Sequence, residues 1–457
     1  MVFSSLIFIF RFLPVFFIIY YLVPFGYKNL ILFLGSLFFY AYGEPKYLIL
    51  IVASIIVNFF AAETIFSAEE ESVKRKFWLV ADIVYNVGTL VIFKYADFII
   101  ENINALTGGS IPLPGLALPL GISFYTFQIM SYVIDVYRKK CPSSHNLLNL
   151  GTYLVMFPQL IAGPIVVYND VAARLKNRKI GFYNIEEGLK KFTLGLGMKV
   201  IFANNIGGIW NTCLEEGFEN LSTPMAWLGI ASFSLQLYYD FGGYSLMAIG
   251  LGQMLGFKFP KNFDFPYIAG SVTDFWRRWH MTLTSWFREY IYIPLGGNRK
   301  GMARTILNML IVWLITGLWH GAAWNFVVWG LYYFVLLVLE RLFLKKVLDR
   351  IPVIPHIYTL VIVMCGWVLF ESPSLSEALI FLSRMFTYNP GFEFIEPLKQ
   401  YAMFMVPAIL CATPVFSGIY LRIRKKWYGI ALLFLIFWGS VVLLVDSVYN
   451  PFLYFRF

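Results

Sequence analysis

The chain reads Asp274-Phe-Trp-Arg-Arg-Trp-His280 and, further on, Gly317-Leu-Trp-His320-Gly-Ala-Ala-Trp324, in a sequence that is otherwise mostly apolar. An imidazole inside an apolar run is costly to bury. Ionisable groups at membrane depth more often serve a function than fill space. The two histidines are therefore the first candidates for chemistry, if the runs around them lie in a membrane.

The composition predicts a membrane protein. The 457 residues are 59% hydrophobic and 14% charged, with a mean hydropathy of +0.69. That leaves too little polar surface to cover a water-soluble globule of this length. The apolar runs are long, as at residues 46–60 and 429–445, whereas membrane β-strands would alternate over short segments. The sequence predicts an all-α, polytopic integral membrane protein.

Hydropathy predicts twelve spans, at residues 5–24, 29–43, 46–66, 77–96, 118–137, 192–210, 224–256, 305–319, 322–343, 355–372, 400–420 and 427–447. Residues 147–167 lie between basic loops and contain two prolines, so a re-entrant helical hairpin is expected there. Residues 262–297 are too polar for a lipid-facing span, and we expect amphipathic or re-entrant helices around a cavity. No linker separates a soluble domain, so residues 1–457 are interpreted as one membrane domain.

The formal net charge of +10 does not indicate nucleic-acid binding. Its basic residues form short clusters between apolar runs, the pattern that the positive-inside rule gives to cytoplasmic loops, at residues 74–76, 138–140, 174–179, 190–191, 299–304, 341–350 and 422–426. By contrast, residues 211–223 and 389–399 are net acidic and are predicted to lie outside. The first 24 residues contain Arg11 and Pro14 and no cleavage signal follows, so we expect a retained membrane segment.

The four cysteines are widely scattered, with no pair at metal-ligand or redox spacing. They are interpreted as inert core residues, and the sequence predicts neither a metal site nor a tightly bound cofactor. His145 and His356 stand in loop contexts beside Ser144 and Pro355, where surface placement is expected. Chemistry therefore rests on the other two histidines.

His320 is the first candidate for a general base. If one helix continues through it, Thr316 and Trp324 share its face, while the neighbouring glycines allow close backbone approach. A neutral imidazole of pKa about 6.5 can take a proton from a hydroxyl and pass it to a leaving group, as acyl transfer requires. No serine or cysteine nucleophile motif accompanies it, which favours direct attack by an acceptor hydroxyl. The alternative is a core histidine bonded to a carbonyl.

His280 is the second candidate, and a structural role is as well supported. Asp274 can pair with Arg277 and Arg278 at helical spacing, which would make His280 part of an ion-pair network. The cations could instead bind the phosphates of a nucleotide-bearing acyl donor, or anionic lipid headgroups. The candidate donor-binding residues are Arg277, Arg278, Arg288, Arg299 and Lys300.

Asp240 lies within an apolar run, in Tyr238-Tyr-Asp-Phe-Gly-Gly-Tyr-Ser245. A carboxylate at that position has to be paired or protonated. It is either a structural anchor or a polar wall of the site, and the anchor is favoured.

Several motifs in order resemble the membrane-bound O-acyltransferase family, and within it the membrane subunits of bacterial alginate O-acetyltransferases. The resemblance covers nearly the whole chain and rests on Met1-Val-Phe-Ser-Ser5, Pro119-Leu-Gly-Ile-Ser-Phe-Tyr125, Ile134-Asp-Val-Tyr-Arg138, Phe157-Pro-Gln-Leu-Ile-Ala-Gly-Pro164, Met247-Ala-Ile-Gly-Leu-Gly252, Asp274 to His280, Tyr290-Ile-Tyr-Ile-Pro-Leu-Gly-Gly-Asn-Arg-Lys-Gly301, Thr316 to Ala322 and Tyr454-Phe-Arg-Phe457. Residues 118–343 form the signature core.

The resemblance implies helices around a membrane-spanning tunnel, with His320 as the catalytic histidine and His280 as the second signature position. It also implies a multi-pass protein of the bacterial cytoplasmic membrane that passes an acetyl group outward from a cytoplasmic donor, acetyl-CoA. The acceptor would be an exported polysaccharide, and a separate periplasmic or extracellular acetyltransferase would complete the transfer.

One departure bears on the acceptor and the partner. Where the alginate proteins read Phe-Ser-Gly-Tyr-Ser-Asp, this chain has Phe241-Gly-Gly-Tyr-Ser-Leu246 and lacks the acid. Two other functions stay open. One is D-alanyl transfer from a carrier protein to teichoic acid, within the same family; the other is a transporter or channel lined by the intramembrane polar residues.

Overall fold

The computed structural model describes residues 1–161, 163–446 and 453. These residues are helical, with turns and an isolated parallel β-bridge between Leu221 and Phe392. The predicted all-α polytopic class is confirmed. The closing motif at residues 454–457 and the alanine of the Phe157–Pro164 motif lie outside the described residues.

The helices fall into two compact units. Unit 1 comprises Met1–Phe192 and Met247–Pro260. A π-helical turn, Phe8–Phe12, leads into its helices, which are α1 (Leu13–Leu22), α2 (Phe25–Gly43), α3 (Leu48–Ser67), α4 (Val73–Thr107), α5 (Ile122–Tyr137), α6 (Leu147–Val155), α7 (Phe157–Leu160), α8 (Tyr168–Lys176) and most of α9 (Phe182–Gly197).

Unit 2 comprises Thr193–Leu246 and Lys261–Phe457. Its helices are α10 (Asn204–Glu216), most of α11 (Thr223–Met254), α12 (Val272–Arg278), α13 (Met281–Phe287), α14 (Gly301–His320), α15 (Trp324–Leu339), α16 (Lys345–Leu348), α17 (Ile354–Glu371), α18 (Leu375–Phe386), α19 (Ile395–Cys411), α20 (Pro414–Ile423) and α21 (Trp427–Asp446). Its core is rich in buried aromatic side chains. The prediction of one domain over residues 1–457 stays a prediction.

Six helices in the described part of the chain are long and apolar enough to cross a membrane, namely Pro45–Ser67, Val73–Thr107, Gly301–His320, Trp324–Leu348, Ile354–Glu371 and Trp427–Asp446. The pair α19 and α20, bent by 80°, would make a seventh. Each of the twelve predicted segments contains a helix, but the others are too short or too polar to qualify. The sequence therefore locates the helices, and six or seven of the twelve predicted segments have the length and hydropathy of a spanning helix.

The two segments predicted to be irregular consist of short helices. Residues 147–167 contain α6 and α7, of nine and four residues, which are separated by the non-helical residue Met156 (φ −47°, ψ 110°). At a rise of about 1.5 Å per residue neither can cross a core of about 30 Å. Residues 262–297 contain α12 and α13, of seven residues each, for which the same holds. The interrupted helices are confirmed, and their depth in the membrane stays a prediction.

The helices α14 and α15 pack through their backbones. A Cβ atom on Gly317 would lie 2.3 Å from the carbonyl oxygen of Phe326, and one on Gly330 would lie 2.4 Å from that of Trp313. Small residues permit such approach, which favours helix association in membranes. This contact fixes the two helices that carry His320 and the residues beside it.

The two acidic segments predicted to lie outside meet each other. The amide of Phe392 donates to the carbonyl of Asn220 at 2.6 Å, and the amide of Ser222 donates to the carbonyl of Phe392 at 3.2 Å. Segments that are hydrogen-bonded in this way lie on one side of the membrane. Their assignment to the outside stays a prediction.

Candidate active site

His320 is the last residue of α14 and is buried among aromatic rings. Its ring centroid lies 4.9 Å from that of Trp319, 5.0 Å from Trp329 and 5.1 Å from Phe370, each nearly perpendicular. The helix ends there because Gly321 takes an extended conformation, with φ −161°. The position predicted for the base is therefore a helix terminus walled by rings of α14, α15 and α17.

The predicted shared helical face around His320 is only half right. Thr316 lies on α14, where its hydroxyl donates to the carbonyl of Val312 at 2.7 Å. Trp324 does not continue that helix; it begins α15 and is 58% exposed. Glycine occupies the break between α14 and α15, where a side chain at position 321 would collide with the ring of Phe326.

His280 lies in a tight turn between two helices. The sequence predicts it on the same helix as Arg278, but α12 ends at Arg278 and His280 takes a left-handed conformation, φ 43° and ψ 52°, before α13. That conformation costs a residue with a Cβ about 1–2 kcal/mol. Two backbone hydrogen bonds of 2.9 Å hold the turn: Met281 donates to Asn262, and Asp264 donates to Arg278.

Asn262 determines which nitrogen of His280 carries the proton. Its Oδ1 lies 3.2 Å from Nδ1 of His280 and accepts from both the amide and the hydroxyl of Thr282, at 3.2 and 2.8 Å. An amide N–H can only donate, so the Asn262 atom facing it must be the oxygen. Nδ1 of His280 is consequently the donor, and in the neutral ring Nε2 keeps its lone pair.

His280 is fully buried, and its ring packs against Phe241 and Phe263, with centroids at 4.7 and 6.4 Å. Burial lowers the pKa of His280 to about 3, because the apolar surroundings disfavour the imidazolium. The ring is therefore neutral at physiological pH. It can accept a proton or a hydrogen bond at Nε2 but cannot serve as a cation for a phosphate.

The structure brings the two candidate histidines to the same indole. The ring centroid of Trp319 lies 6.2 Å from that of His280 and 4.9 Å from that of His320. The sequence motifs identify both histidines and do not identify Asn262, which stands in an irregular segment before α12. The signal that could have identified Asn262 is its position as a polar residue within an aromatic segment. The catalytic assignments of both histidines stay predictions.

The proposed donor-binding cations differ in their surroundings. Arg277, Arg288 and Lys300 are exposed, as is Arg299. Arg278 is half-buried and pairs with Asp274, with 2.9 Å between Nε and Oδ2. The ion pair expected within this helix therefore forms with Arg278, which leaves Arg277 as the more accessible of the two. Donor binding by these residues stays a prediction.

Glu340, which the sequence does not single out, holds the start of α12. It is 1% exposed, and its carboxylate accepts from the amides of Val272 and Thr273 at 2.6 and 2.9 Å, and from the Thr273 hydroxyl at 2.7 Å. A carboxylate at a helix N-terminus satisfies amides that have no partner within the helix. Glu340 thus fixes the helix that leads into the His280 turn.

Asp240 is a structural anchor, as favoured from the sequence. Its Oδ1 lies 2.5 Å from Nζ of Lys199, and both side chains are at least 96% buried. Its Oδ2 accepts from the amide of Leu453 at 2.8 Å. A buried carboxylate with a counter-ion and a backbone donor is well compensated.

The glycines that follow Asp240 pack against the segment that carries Lys199. A Cβ on Gly243 would lie 2.7 Å from the carbonyl of Gly195, and one on Gly242 would lie 3.2 Å from Cε of Met198. Gly243 therefore meets backbone, whereas Gly242 meets the flexible end of a side chain. The alginate proteins have a serine where this chain has Gly242, and a serine side chain would fit at this position if Met198 shifted slightly.

The surface histidines lie where the sequence predicts. The imidazole of His145 is 58% exposed, with Nδ1 at 2.9 Å from Glu63, and His356 is exposed at the start of α17. The cysteines are unpaired: Cys141 and Cys213 are buried, while Cys365 and Cys411 are half-buried.

Comparison with known proteins gives the family. The model of the membrane-bound O-acyltransferase family matches residues 138–370, which include both candidate histidines. The chain belongs to the membrane-bound O-acyltransferase family. It is an O-acyltransferase held in a membrane by several helices.

Three relatives of this membrane-bound O-acyltransferase illustrate its range. A probable alginate O-acetylase, AlgI, of Pseudomonas putida is 36% identical, with 100% of each chain covered. A peptidoglycan O-acetyltransferase of Helicobacter pylori is 36% identical over 91% of this chain and 87% of its own. A teichoic acid D-alanyltransferase of Streptococcus thermophilus is 28% identical over 50% of this chain and 58% of its own.

Proposed function

We propose that this O-acyltransferase moves an acetyl group from a cytoplasmic donor, acetyl-CoA, for O-acetylation of an exported polysaccharide. The observation that carries the proposal is the pair of buried histidines that both pack against Trp319, within the matched family region. The names of the relatives support acetyl as the acyl group. Those that cover most of the chain are O-acetylating enzymes, whereas the D-alanyltransferase covers half of it.

In the proposed reaction His320 is the general base. It takes the proton of an acceptor hydroxyl while the oxygen attacks the thioester carbonyl, so that a C–O bond forms and the C–S bond breaks. The proton then passes from His320 to the departing thiolate, which leaves as the free thiol. The aromatic walls of the site keep bulk water, a competing nucleophile, from the ring.

His280 supports this reaction as a neutral acceptor. Because Nδ1 donates to Asn262, Nε2 offers its lone pair to a hydroxyl or an amide of a substrate. Its left-handed turn fixes the direction of that lone pair. In this proposal the phosphates of the donor are bound instead by the exposed cations Arg277, Arg288 and Lys300, with Arg278 held by Asp274.

The proposed location is the bacterial cytoplasmic membrane, with the basic loops inside. The relatives named above are bacterial, and polysaccharides destined for export are modified beyond this membrane. A separate periplasmic or extracellular acetyltransferase, acting on the acceptor polysaccharide, is the proposed partner.

The donor experiment uses membrane vesicles that contain the protein. Vesicles with the cytoplasmic face outward are given acetyl-CoA labelled in the acetyl group or, separately, a carrier protein charged with labelled D-alanine. The expected result is label transfer from acetyl-CoA only, and vesicles with His320→Ala stay unlabelled. Transfer from the carrier protein alone would overturn the acetyl proposal, and donor or polymer flux without transfer would favour a transporter.

A further inference from the structure

A groove on unit 1 combines an apolar lining with one charged side chain. It encloses about 580 Å³ between the helix Phe8–Leu22 and α2. Aromatic and aliphatic side chains form its walls, and the charged side chain among them is Arg11. The wall residues used below are Phe12, Phe16, Leu34, Phe38 and Tyr42.

Arg11 has no counter-ion within the part of the chain that the structure describes. It lies in the π-helical turn Phe8–Phe12, is exposed, and takes part in none of the hydrogen bonds or ion pairs of the described residues. Its exposed neighbours are apolar, as a lipid-facing surface requires; Phe38 is 60% exposed and Leu34 51%. An uncompensated guanidinium among acyl chains is costly, so an anion from the surroundings is expected beside it.

Arg11 lies near one end of the two helices that form the groove. The helix Phe8–Leu22 runs antiparallel to α2, because Gly35 faces the ring of Phe16 and Gly43 faces the backbone of Met1. Arg11 therefore lies level with the last turns of α2. With a rise of 1.5 Å per residue, Phe38 is about 8 Å from the end of that helix. A long arginine side chain can extend along the apolar surface over such a distance towards the headgroups.

We propose that this groove is a binding site for one anionic phospholipid. The guanidinium of Arg11 binds the lipid phosphate through paired N–H donors, a geometry that arginine supplies and lysine does not. An acyl chain lies along Phe12, Phe16 and Phe38. A peptide helix would leave Arg11 without an anion unless it carried an acid at membrane depth, so a lipid is the occupant that satisfies both the charge and the apolar walls. This inference does not rest on the proposed acetyl transfer.

The test is native mass spectrometry of the detergent-purified protein titrated with phosphatidylglycerol or phosphatidylcholine. The wild-type protein is expected to bind its first phosphatidylglycerol molecule more tightly than any further phosphatidylglycerol molecule. It should also bind that first molecule more tightly than it binds phosphatidylcholine. Arg11→Gln should weaken that step on the order of fivefold, since a basic residue near the headgroups contributes about 1 kcal/mol. Arg11→Lys should retain part of the preference.

The groove itself is tested with a second pair of variants. Gly35→Leu adds a side chain to the lining of the groove, where even a Cβ would lie 2.6 Å from the ring of Phe16. Gly88→Leu is the matched control, because a Cβ there meets nothing within 4 Å on α4. Gly35→Leu should lose the tight lipid while Gly88→Leu keeps it, with unchanged elution in size-exclusion chromatography. Equal binding of both lipids by the wild type, or wild-type binding by Arg11→Gln, overturns the proposal.

Discussion

Nδ1 of His280 lies 3.2 Å from Oδ1 of Asn262, and the amide of Thr282 fixes that oxygen in place. This relationship leaves Nε2 as the acceptor nitrogen of a buried, neutral ring. It also links His280, which the sequence motifs identify, to Asn262, which they do not identify. The protonated nitrogen of His280 is thus determined by a residue eighteen positions earlier in the chain.

Asn262→Ala should lower turnover more than substrate binding. The change leaves the Nδ1–H of His280 without its acceptor, and an unpaired buried donor costs about 1–3 kcal/mol. We expect kcat for acetyl transfer to fall about tenfold, with KM for the donor within threefold of the wild type. Asn262→Asp retains the acceptor and should keep more of the activity.

The control for Asn262 is Thr282→Val, which removes one donor to the same oxygen and leaves His280 its partner. Its kcat should stay within about threefold of the wild type, because a single neutral hydrogen bond contributes about 1 kcal/mol or less to the fold. If Asn262→Ala turned over at the wild-type rate, His280 would have no positioned role.

Acid should destabilise the protein through His280. Its pKa is about 3 in the folded protein, whereas the unfolded chain binds the proton near pH 6.5. Between those values the unfolded state holds more protons, so the free energy of unfolding falls as the pH is lowered, by at most about 1.4 kcal/mol per pH unit for this group. A variant without the imidazole lacks this contribution.

Thermal unfolding in detergent at pH 7 and pH 5 tests the acid effect. Tm should fall more for the wild type than for His280→Gln, while His356→Gln, at an exposed position, should follow the wild type. Parallel decreases for all three proteins would mean that the ring of His280 is not buried as a neutral group.

Glu340→Gln should destabilise the protein, because one carboxylate oxygen that accepts hydrogen bonds is replaced by an NH₂ group facing donors. Loss of a charged hydrogen bond to buried amides costs about 2 kcal/mol. Tm is the measurement, and Glu396→Gln, an exposed acid paired with Lys399, is the control that should stay within about 0.5 kcal/mol. If Glu340→Gln had the same Tm as Glu396→Gln, the hydrogen bonds from the start of α12 to Glu340 would contribute nothing to stability.

Gly317→Ala tests the contact of α14 with α15. The new Cβ would lie 2.3 Å from a backbone oxygen, which cannot rotate away, so the helices must separate. Overpacking of this kind costs about 1–3 kcal/mol. Gly439→Ala on α21, where a Cβ meets nothing within 4 Å, should leave Tm unchanged or slightly raised. Equal Tm values for the two variants would contradict the close packing.

Local patterns predict much of this fold. The apolar runs locate the helices, the positive-inside pattern agrees with the pairing of the two acidic segments, and the position of Asp240 predicts an anchor. The sequence does not predict the break after Arg278, because the backbone pairing of the His280 turn with residues 262–264 is a tertiary contact without a local signal. The break after His320 is not predicted either; it is occupied by Gly321, where a side chain would collide with the ring of Phe326.

The same reason explains which site residues the sequence identifies. His280 and His320 stand in rare polar motifs, so they attract attention before any fold is known. Asn262 and Glu340 act through hydrogen bonds to residues far along the chain, and an asparagine or a glutamate alone predicts no such partner.

The most direct test of the account is single-turnover acetyl transfer by His320→Ala, with purified protein, labelled acetyl-CoA and the acceptor. General base catalysis contributes about 10²–10⁴-fold. A rate lower by that factor is expected for His320→Ala, with donor binding and Tm close to the wild type and with His356→Ala fully active. Transfer by His320→Ala at the wild-type rate would contradict it.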